Sequence, residues 1–398
     1  MPCHIRPVFV EFLAHPPIQP YLGRSHIMIS HLNDMKVAFM DLRVADQQLK
    51  RELLAAVEAT LSHGVLVLGP EVDALEATIA QFCQKRFAVA MGSGTDSLYL
   101  AMRAIDLSSG DEVITTPMTW VASTNAVRLC GAIPRFVDVR HDMNIDETLI
   151  RGAITPKTKA ILPVHWNGKL CRMKEIRRIA DEHGLRVIED SAQAICAEHD
   201  GRRAGSFGDI NCLSMNPMKV WGAYGEAGAV VTDNEDWCEK LRSLRYAGTV
   251  NRENCHYPSI NARIDTMQAA MLMVTAARLP ERIERRRQVA RYYTESLHHL
   301  FPCPKVDDSH VFYTYTILSE ERDRLKDYLE SRGVATRIRQ PYLVTQQVAY
   351  QDLPRAHIPI AEQLIKKILS LPIHHNVSNA EMAYVVQCIR EFYGRGGS

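Results

Sequence analysis

The 398-residue sequence has almost no net charge: 47 Lys and Arg stand against 46 Asp and Glu, leaving +1. That removes the basic excess by which chains that bind nucleic acid or anionic membrane surfaces are recognised, so neither partner is expected. Cysteine spacing is missing too. Ten cysteines are scattered from Cys3 to Cys388 and no two form a C-x-x-C pair, which leaves the zinc and thioredoxin readings without support. A disulfide scaffold belongs to small secreted domains, so a reducing cytoplasm is the compartment expected here. No apolar run approaches the roughly 20 residues that span a bilayer. The stretch from Met1 to Asp34 is interrupted by His, Arg and Pro and lacks the clean apolar stretch of a signal peptide. It reads as an N-terminal extension or as an arm packed on a partner subunit.

What the sequence does have is a globular composition, 46% hydrophobic and 23% charged, with length enough for a large core and about two domains. Apolar residues recur at helical spacing from Leu42 to Ser62, and again at Val72, Leu75, Ile79 and Phe82. Strand-like and helix-like segments then alternate. Strands are expected at Arg86–Met91, Glu112–Thr115, Pro134–Val139, Lys159–Val164 and Leu185–Ile188, and helices at Ser97–Ile105, Ala122–Cys130 and Lys174–His183. Such alternation predicts an α/β fold, with a mostly parallel sheet covered by helices. From Asp265 to Leu300 the pattern is one long helix, or two joined near Pro280. A strand at Val311–Leu318 and helices at Glu321–Arg332 and Pro359–Leu369 follow. The expected organisation is an extension to residue 35, a large domain over 36–255 and a smaller α+β domain over 256–398.

In open α/β sheets, ligands collect at the carboxyl ends of strands, and four motifs fall at such ends. Gly92-Ser93-Gly94-Thr95-Asp96 joins a strand to a helix. It is either a capped tight turn or a phosphate cradle, because a helix N-terminus exposes unpaired N–H groups and a partial positive charge. It is not a dinucleotide fingerprint, since Ser97 occupies the third glycine position, and it lacks the Lys-Ser/Thr pair of a P-loop. Asp190 ends an apolar strand and is either a helix cap or a functional carboxylate, with Gln193 three residues on. Lys219 sits in Ser214-Met215-Asn216-Pro217-Met218-Lys219 before a glycine-rich run. It is either a surface lysine or a nucleophile made reactive by apolar surroundings. Trp120 follows Pro117-Met118-Thr119 as core filler or as an aromatic platform.

Taken in order, these stretches resemble the DegT/DnrJ/EryC1/StrS family of sugar aminotransferases, of fold type I among enzymes that use pyridoxal 5'-phosphate (PLP). The resemblance runs from about Lys36 to the C-terminus. It also takes in Val67-Leu68-Gly69-Pro70-Glu71-Val72, Val187-Ile188-Glu189-Asp190-Ser191-Ala192-Gln193-Ala194, Gly205-Ser206-Phe207-Gly208-Asp209, Asn261-Ala262-Arg263 and Gln268-Ala269-Ala270. It implies that Lys219 holds PLP as a Schiff base and that Asp190 pairs with the pyridine nitrogen. Gln193 would sit near the phenolic oxygen and Trp120 would stack on the ring. Gly94, Thr95 and Ser214 would bind the phosphate, and Asn261 would reach the phosphate of the neighbouring subunit, which implies a homodimer with shared active sites. The implied reaction is a ping-pong transfer from an amino acid, L-glutamate, to a dTDP- or UDP-linked keto-sugar in amino-sugar biosynthesis.

The departures bear on the sugar rather than the cofactor. His165-Trp166-Asn167-Gly168 stands where the family often has His-Leu-Tyr-Gly, Met215 where Phe is usual and Ala227 where Gly is common. A histidine often seen in the C-terminal part is missing near Tyr342-Leu343-Val344. The form of the lysine stretch resembles members that aminate carbon 3. Two alternatives are a PLP-dependent sugar dehydratase, in which histidine replaces the lysine, and a non-catalytic or regulatory sugar-nucleotide-binding homologue. Lys219 stands against the first, and the retention of both Lys219 and Asp190 against the second. An NAD-binding oxidoreductase is disfavoured by the missing fingerprint.

Overall fold

The computed structural model describes residues 35–394; the expected extension lies outside the described residues but for Met35. The chain opens with α1 (Gln47–His63), capped by Asp46, whose carboxylate accepts from the N–H groups of Gln48 and Leu49. Then come α2 (Pro70–Phe82), β1 (Phe87–Met91), α3 (Gly94–Ala104), β2 (Glu112–Thr115), α4 (Val121–Leu129) and β3 (Ile133–Phe136). Next are α5 (Glu147–Ala153), β4 (Thr158–Ile161), α6 (Met173–His183), β5 (Arg186–Asp190), the hairpin β6 (Glu198–His199) and β7 (Arg202–Arg203), β8 (Ile210–Ser214) and β9 (Gly228–Thr232). After α7 (Glu235–Arg245) and a hairpin of β10 (Thr249–Val250) and β11 (Asn254–Cys255), two helices follow, α8 (Thr266–Ala276) and α9 (Leu279–Leu297). The chain closes with β12 (Tyr315–Leu318), α10 (Arg322–Ser331), α11 (Pro359–Leu364), β13 (Ile368–Leu371) and α12 (Asn379–Gly394).

The central sheet has the order β1-β9-β8-β5-β4-β2-β3. From β8 to β3 all neighbours are parallel, and β9 runs antiparallel to both β8 and β1. Because side chains alternate across a strand, each strand feeds two cores. Ala88, Ala90, Val187 and Val231 join one face, packed against Leu75 and Ile79 of α2, Ile176 and Ile179 of α6 and Leu272 of α8. Val89, Met91, Ile188 and Val230 join the other, under Leu98 and Ala101 of α3, Ala126 of α4 and Leu241 and Leu244 of α7. The sequence expectation of a mostly parallel sheet flanked by helices is met, and β8 and β9 are strands it did not anticipate.

A third core forms beyond Ile283. Val289, Tyr293 and Leu297 of α9 pack with Tyr315, Ile317, Leu369 and Leu371 of the β12–β13 pair and with Val385 and Ile389 of α12. Val37 enters this core from the opposite end of the chain. The helical pattern after Asp265 resolves into two helices, with Pro280 in the first turn of α9, where its missing N–H does no harm. The strand expected from Val311 starts only at Tyr315, because Val311 and Thr314 donate their N–H groups to the carbonyls of Gly168 and Asn167. The helix expected over Pro359–Leu369 stops at Leu364, and Ile368–Leu371 pairs instead with β12. Among the described residues, no helix is long and apolar enough to cross a membrane.

One buried ion pair ties α7 to α2 and β1. Arg245 donates to Glu76 Oε1 at 2.6 Å and to the Ala90 carbonyl at 2.9 Å, and Glu76 accepts in turn from the Ala90 N–H at 2.9 Å. Removing one member leaves the other charge buried and unpaired, at a cost of about 3–5 kcal/mol. We therefore expect Arg245→Met to lower the urea midpoint markedly; a midpoint equal to that of the unmodified chain would show that the pair contributes nothing.

Candidate active site

Asp190 is the last residue of β5 and is 4% exposed. Its Oδ2 accepts from the Ser123 hydroxyl at 2.8 Å and its Oδ1 from the Ala192 N–H at 3.1 Å. Burial pushes this carboxyl above its ordinary value, against the opposing pull of Ser123, of Ala192 and of the Lys219 charge. Its carboxylate form is therefore short of positive charge and suits a cationic ligand group. No helix follows it, so Asp190 is not a cap. Gln193 lies in a turn rather than on the first turn of a helix. Gln193 Oε1 accepts from the Asn167 N–H at 2.9 Å, and its Nε2 has no partner among the described residues, leaving a donor for a ligand oxygen.

The adjacent Glu189 points to the other face, as strand alternation requires. It is fully buried and accepts from the N–H groups of Gly205, Phe207 and Gly208, from Ser191 Oγ at 3.1 Å and from His165. His165 Nδ1 accepts the Cys171 N–H at 3.2 Å, so its proton sits on Nε2, 2.8 Å from Glu189 Oε1. Burial alone would raise the Glu189 carboxyl; the His165 bond and the backbone donors outweigh it and hold the group below its usual range. The backbone N–H of His165 donates to the Asp190 carbonyl at 3.1 Å. The site carboxylate thus stands on a fixed backbone.

The phosphate cradle expected from the sequence has a partner in space. Ser93 caps α3, its side chain accepting from the Asp96 N–H at 3.1 Å. The N–H groups of Gly94 and Thr95, at the first two helical positions, have no intrahelical acceptor. Gly94 lies against Ser214, the last residue of β8; a Cβ added at Gly94 would come 2.5 Å from Ser214 Cβ. Only glycine allows that approach, which brings two helix N–H donors and two hydroxyls together in an arrangement that fits a phosphate. Trp120 is the N-cap residue of α4 and is 62% exposed. It is therefore not core filler. It stands beside the turn that carries Ser123.

Lys219 lies five residues past the end of β8, its N–H bonded to the Asn216 carbonyl at 2.8 Å. Its Nζ stands 4.6 Å from the ring centroid of Tyr313, a buried residue that sequence inspection did not single out. A cleft of about 670 Å³ reaches Lys219 between residues 40–46, Tyr224, Arg282 and His375. Asn261 is exposed and accepts from Arg263 Nε at 2.7 Å; the following carbonyl, of Ala262, accepts the Gly92 N–H at 2.8 Å, so this segment lies behind the phosphate turn of its own chain. Three groups of the site escaped the sequence: Ser123, Tyr313 and Arg339, whose guanidinium lies 4.9 Å from the Tyr313 ring centroid. Ser123 had a signal, since it lies three residues past Trp120 on the first turn of a helix. Tyr313 and Arg339 had none, because they come from segments that follow α9 and meet Lys219 only in the folded chain.

The sequence profile of the DegT/DnrJ/EryC1/StrS aminotransferase family matches residues 47–390. A relative named dTDP-3-amino-3,4,6-trideoxy-alpha-D-glucose transaminase, from Streptomyces venezuelae, is 36% identical over 92% of this chain and 99% of its own length. A Geobacillus stearothermophilus relative named pleiotropic regulatory protein is 37% identical over 90% of this chain and 99% of its own. Among solved structures, NtdA from Bacillus subtilis with bound cofactor PMP has a TM-score of 0.85 at 30% identity, covering 90% of this chain and 85% of that one.

The Glu189 network has an acid signature. A carboxyl held below its ordinary value stabilises the fold above that value, and the contribution is lost as pH falls through the depressed one. Glu189→Gln leaves N–H donors facing a neutral amide, at a cost of about 1–3 kcal/mol. The urea midpoint of Glu189→Gln should lie below that of the unmodified chain at neutral pH, with the gap closing on acidification below the ordinary glutamate range. A gap that does not change with pH would contradict this account.

Proposed function

The chain belongs to the DegT/DnrJ/EryC1/StrS aminotransferase family, and on that premise we propose that it moves an amino group from L-glutamate to carbon 3 of a nucleotide-linked keto-sugar. It is a sugar aminotransferase of amino-sugar biosynthesis. The observation that carries the PLP-dependent reading is Asp190, a buried carboxylate lifted by desolvation and set within the field of Lys219, near a turn suited to a phosphate; the choice of carbon 3 is supported by the form of the lysine stretch and by the name of the Streptomyces relative.

The residues fit PLP. Gly94, Thr95 and Ser214 would hold its phosphate, Asp190 its ring nitrogen, Gln193 its phenolic oxygen and Trp120 the face of its ring, with Lys219 as the covalent anchor. Bound there, the cofactor supplies an electron sink, strongest when the ring nitrogen is protonated. The chain's own work is to keep that nitrogen protonated through Asp190. It also moves a proton, through Lys219 Nζ, at the carbon that gives up or receives nitrogen. Exposed Leu54, Leu61, Val65, Leu66 and Val67 form an apolar surface that supports a homodimer in which Asn261 serves the neighbouring site. A cytoplasmic location is part of the same proposal.

The name of the Geobacillus relative favours a second reading, a regulatory homologue; the complete set of Lys219, Asp190 and the phosphate turn stands against it.

Borohydride reduction of the PLP-loaded protein followed by peptide mapping should place the label on Lys219. Lys219→Ala should abolish turnover while still taking up PLP without a covalent link. Label on another lysine would overturn the assignment, and protein that takes up no PLP would overturn the function. A panel of keto-sugar nucleotides assayed with glutamate identifies the acceptor.

A further inference from the structure

The amine of Lys219 rests on an aromatic face. Its Nζ stands 4.6 Å from the ring centroid of Tyr313, and it makes no hydrogen bond and no ion pair with Asp or Glu among the described residues. Tyr313 is buried and fixed at both ends. At its backbone, the neighbouring Val311 and Thr314 N–H groups bond the carbonyls of Gly168 and Asn167, and a Cβ added at Gly168 would come 2.9 Å from the Tyr313 N. At its tip, Arg339 donates a hydrogen bond to the hydroxyl; Arg339 forms no ion pair with Asp or Glu among the described residues. Burial would raise the Tyr313 phenol, yet Lys219, Arg339 and Arg286 together hold it below its ordinary value. The charge of Lys219 is thus felt at this ring.

A lysine that moves protons needs such a place. In amino transfer the substrate nitrogen takes the lysine's position on the cofactor, so for part of each cycle the amine is unbonded and carries the proton it moves. A carboxylate beside it would pin the ammonium by charge and accept its hydrogen bonds. The face of a ring attracts the cation and takes none of its protons. We propose that the Tyr313 ring is the dock for the Lys219 ammonium whenever the lysine is not bonded to cofactor, which makes Tyr313 a positioning residue; this rests on the aminotransferase reading above. The dock opposes covalent capture. To form a C=N bond with the cofactor aldehyde, the amine leaves the ring, sheds one proton to solvent and attacks the aldehyde carbon, and the aldehyde oxygen departs as water. Removing the ring therefore favours the covalent link.

Two measurements on the full chain freed of cofactor test this. In the first, lysines are reductively methylated with 13C-formaldehyde, which keeps their charge, and the Lys219 signal is assigned by its loss in Lys219→Ala. A methylated ammonium over a ring face resonates upfield of the exposed lysines. Tyr313→Phe should keep that displacement and Tyr313→Leu should abolish it. In the second, unmethylated protein is titrated with PLP at neutral pH and the covalent fraction is followed by absorbance. Tyr313→Leu should lower the Kd for covalent capture about two- to thirtyfold, and Tyr313→Phe should leave it nearly unchanged. If Tyr313→Leu does not fold, Tyr313→Trp, a stronger face for a cation, should displace the signal further and raise the Kd. An undisplaced Lys219 signal in the unmodified chain would overturn the proposal. So would Tyr313→Phe behaving like Tyr313→Leu, because the hydroxyl and not the ring would then be acting. A Kd that rises in Tyr313→Leu marks a merely structural residue and overturns it as well. Borohydride labelling separates the two ideas. A labelled Lys219 with an undisplaced signal sinks this inference alone, whereas an unlabelled Lys219 in the unmodified chain sinks the reading beneath it.

Discussion

Everything at the site depends on where β5 ends. Two adjacent carboxylates occupy its last positions, and the pleat sends them to opposite faces. Glu189 enters the core beneath Phe207 and is saturated by three backbone N–H groups and His165. Asp190 faces the α3–α4 side and receives only Ser123 and Ala192. One carboxylate has its charge fully answered by the protein; the other is deliberately under-supplied. A buried charge without enough partners is unfavourable, and a cationic ligand relieves it.

The same economy recurs around the site. The first turn of α3 leaves N–H groups of Gly94 and Thr95 without acceptors, Gln193 keeps an unused donor, and Arg339 lacks an anion. Each unmet group is held in place by a satisfied neighbour: the first turn of α3 by Ser93, which accepts the Asp96 N–H, Gln193 by the Asn167 turn, and Arg339 by Tyr313. The Asn167 turn joins the Gln193 turn to the Val311–Thr314 segment. Asn167 adopts a left-handed φ of 60°, and a Cβ added at Gly168 would meet the Gln193 carbonyl and the Tyr313 N–H at 2.9 Å. The cofactor side of the site and its far wall are thereby locked to one another through a single turn.

Much of this was legible from residue order. The helical period located α1 to α3, the alternation of elements gave the parallel sheet, and Gly94 and Asp190 each lay next to an expected strand end. The failures have local causes. Val311–Thr314 reads as a strand, but Val311 and Thr314 donate their N–H groups to the Asn167 turn, and the expected helix runs on to Leu369 until β12 offers Ile368–Leu371 a ladder. Gln193 reads as helical, whereas Asn167 takes its side chain and the backbone turns. In each case a partner distant in sequence outbid the local preference.

The sequence by itself determined the fold class and the family, and it marked Gly94, Asp190 and Lys219 as candidates, because those rest on short-range order: a glycine where backbone must approach, a carboxylate at the end of an apolar strand, a lysine before glycines. Only the tertiary structure decided which of two neighbouring carboxylates is structural, that Trp120 is open rather than buried, and that Tyr313 and Arg339 flank Lys219. Those facts are set by desolvation and by contacts between separate segments, such as Ser123 with Asp190 and Lys219 with Tyr313, and neither quantity is written in local sequence.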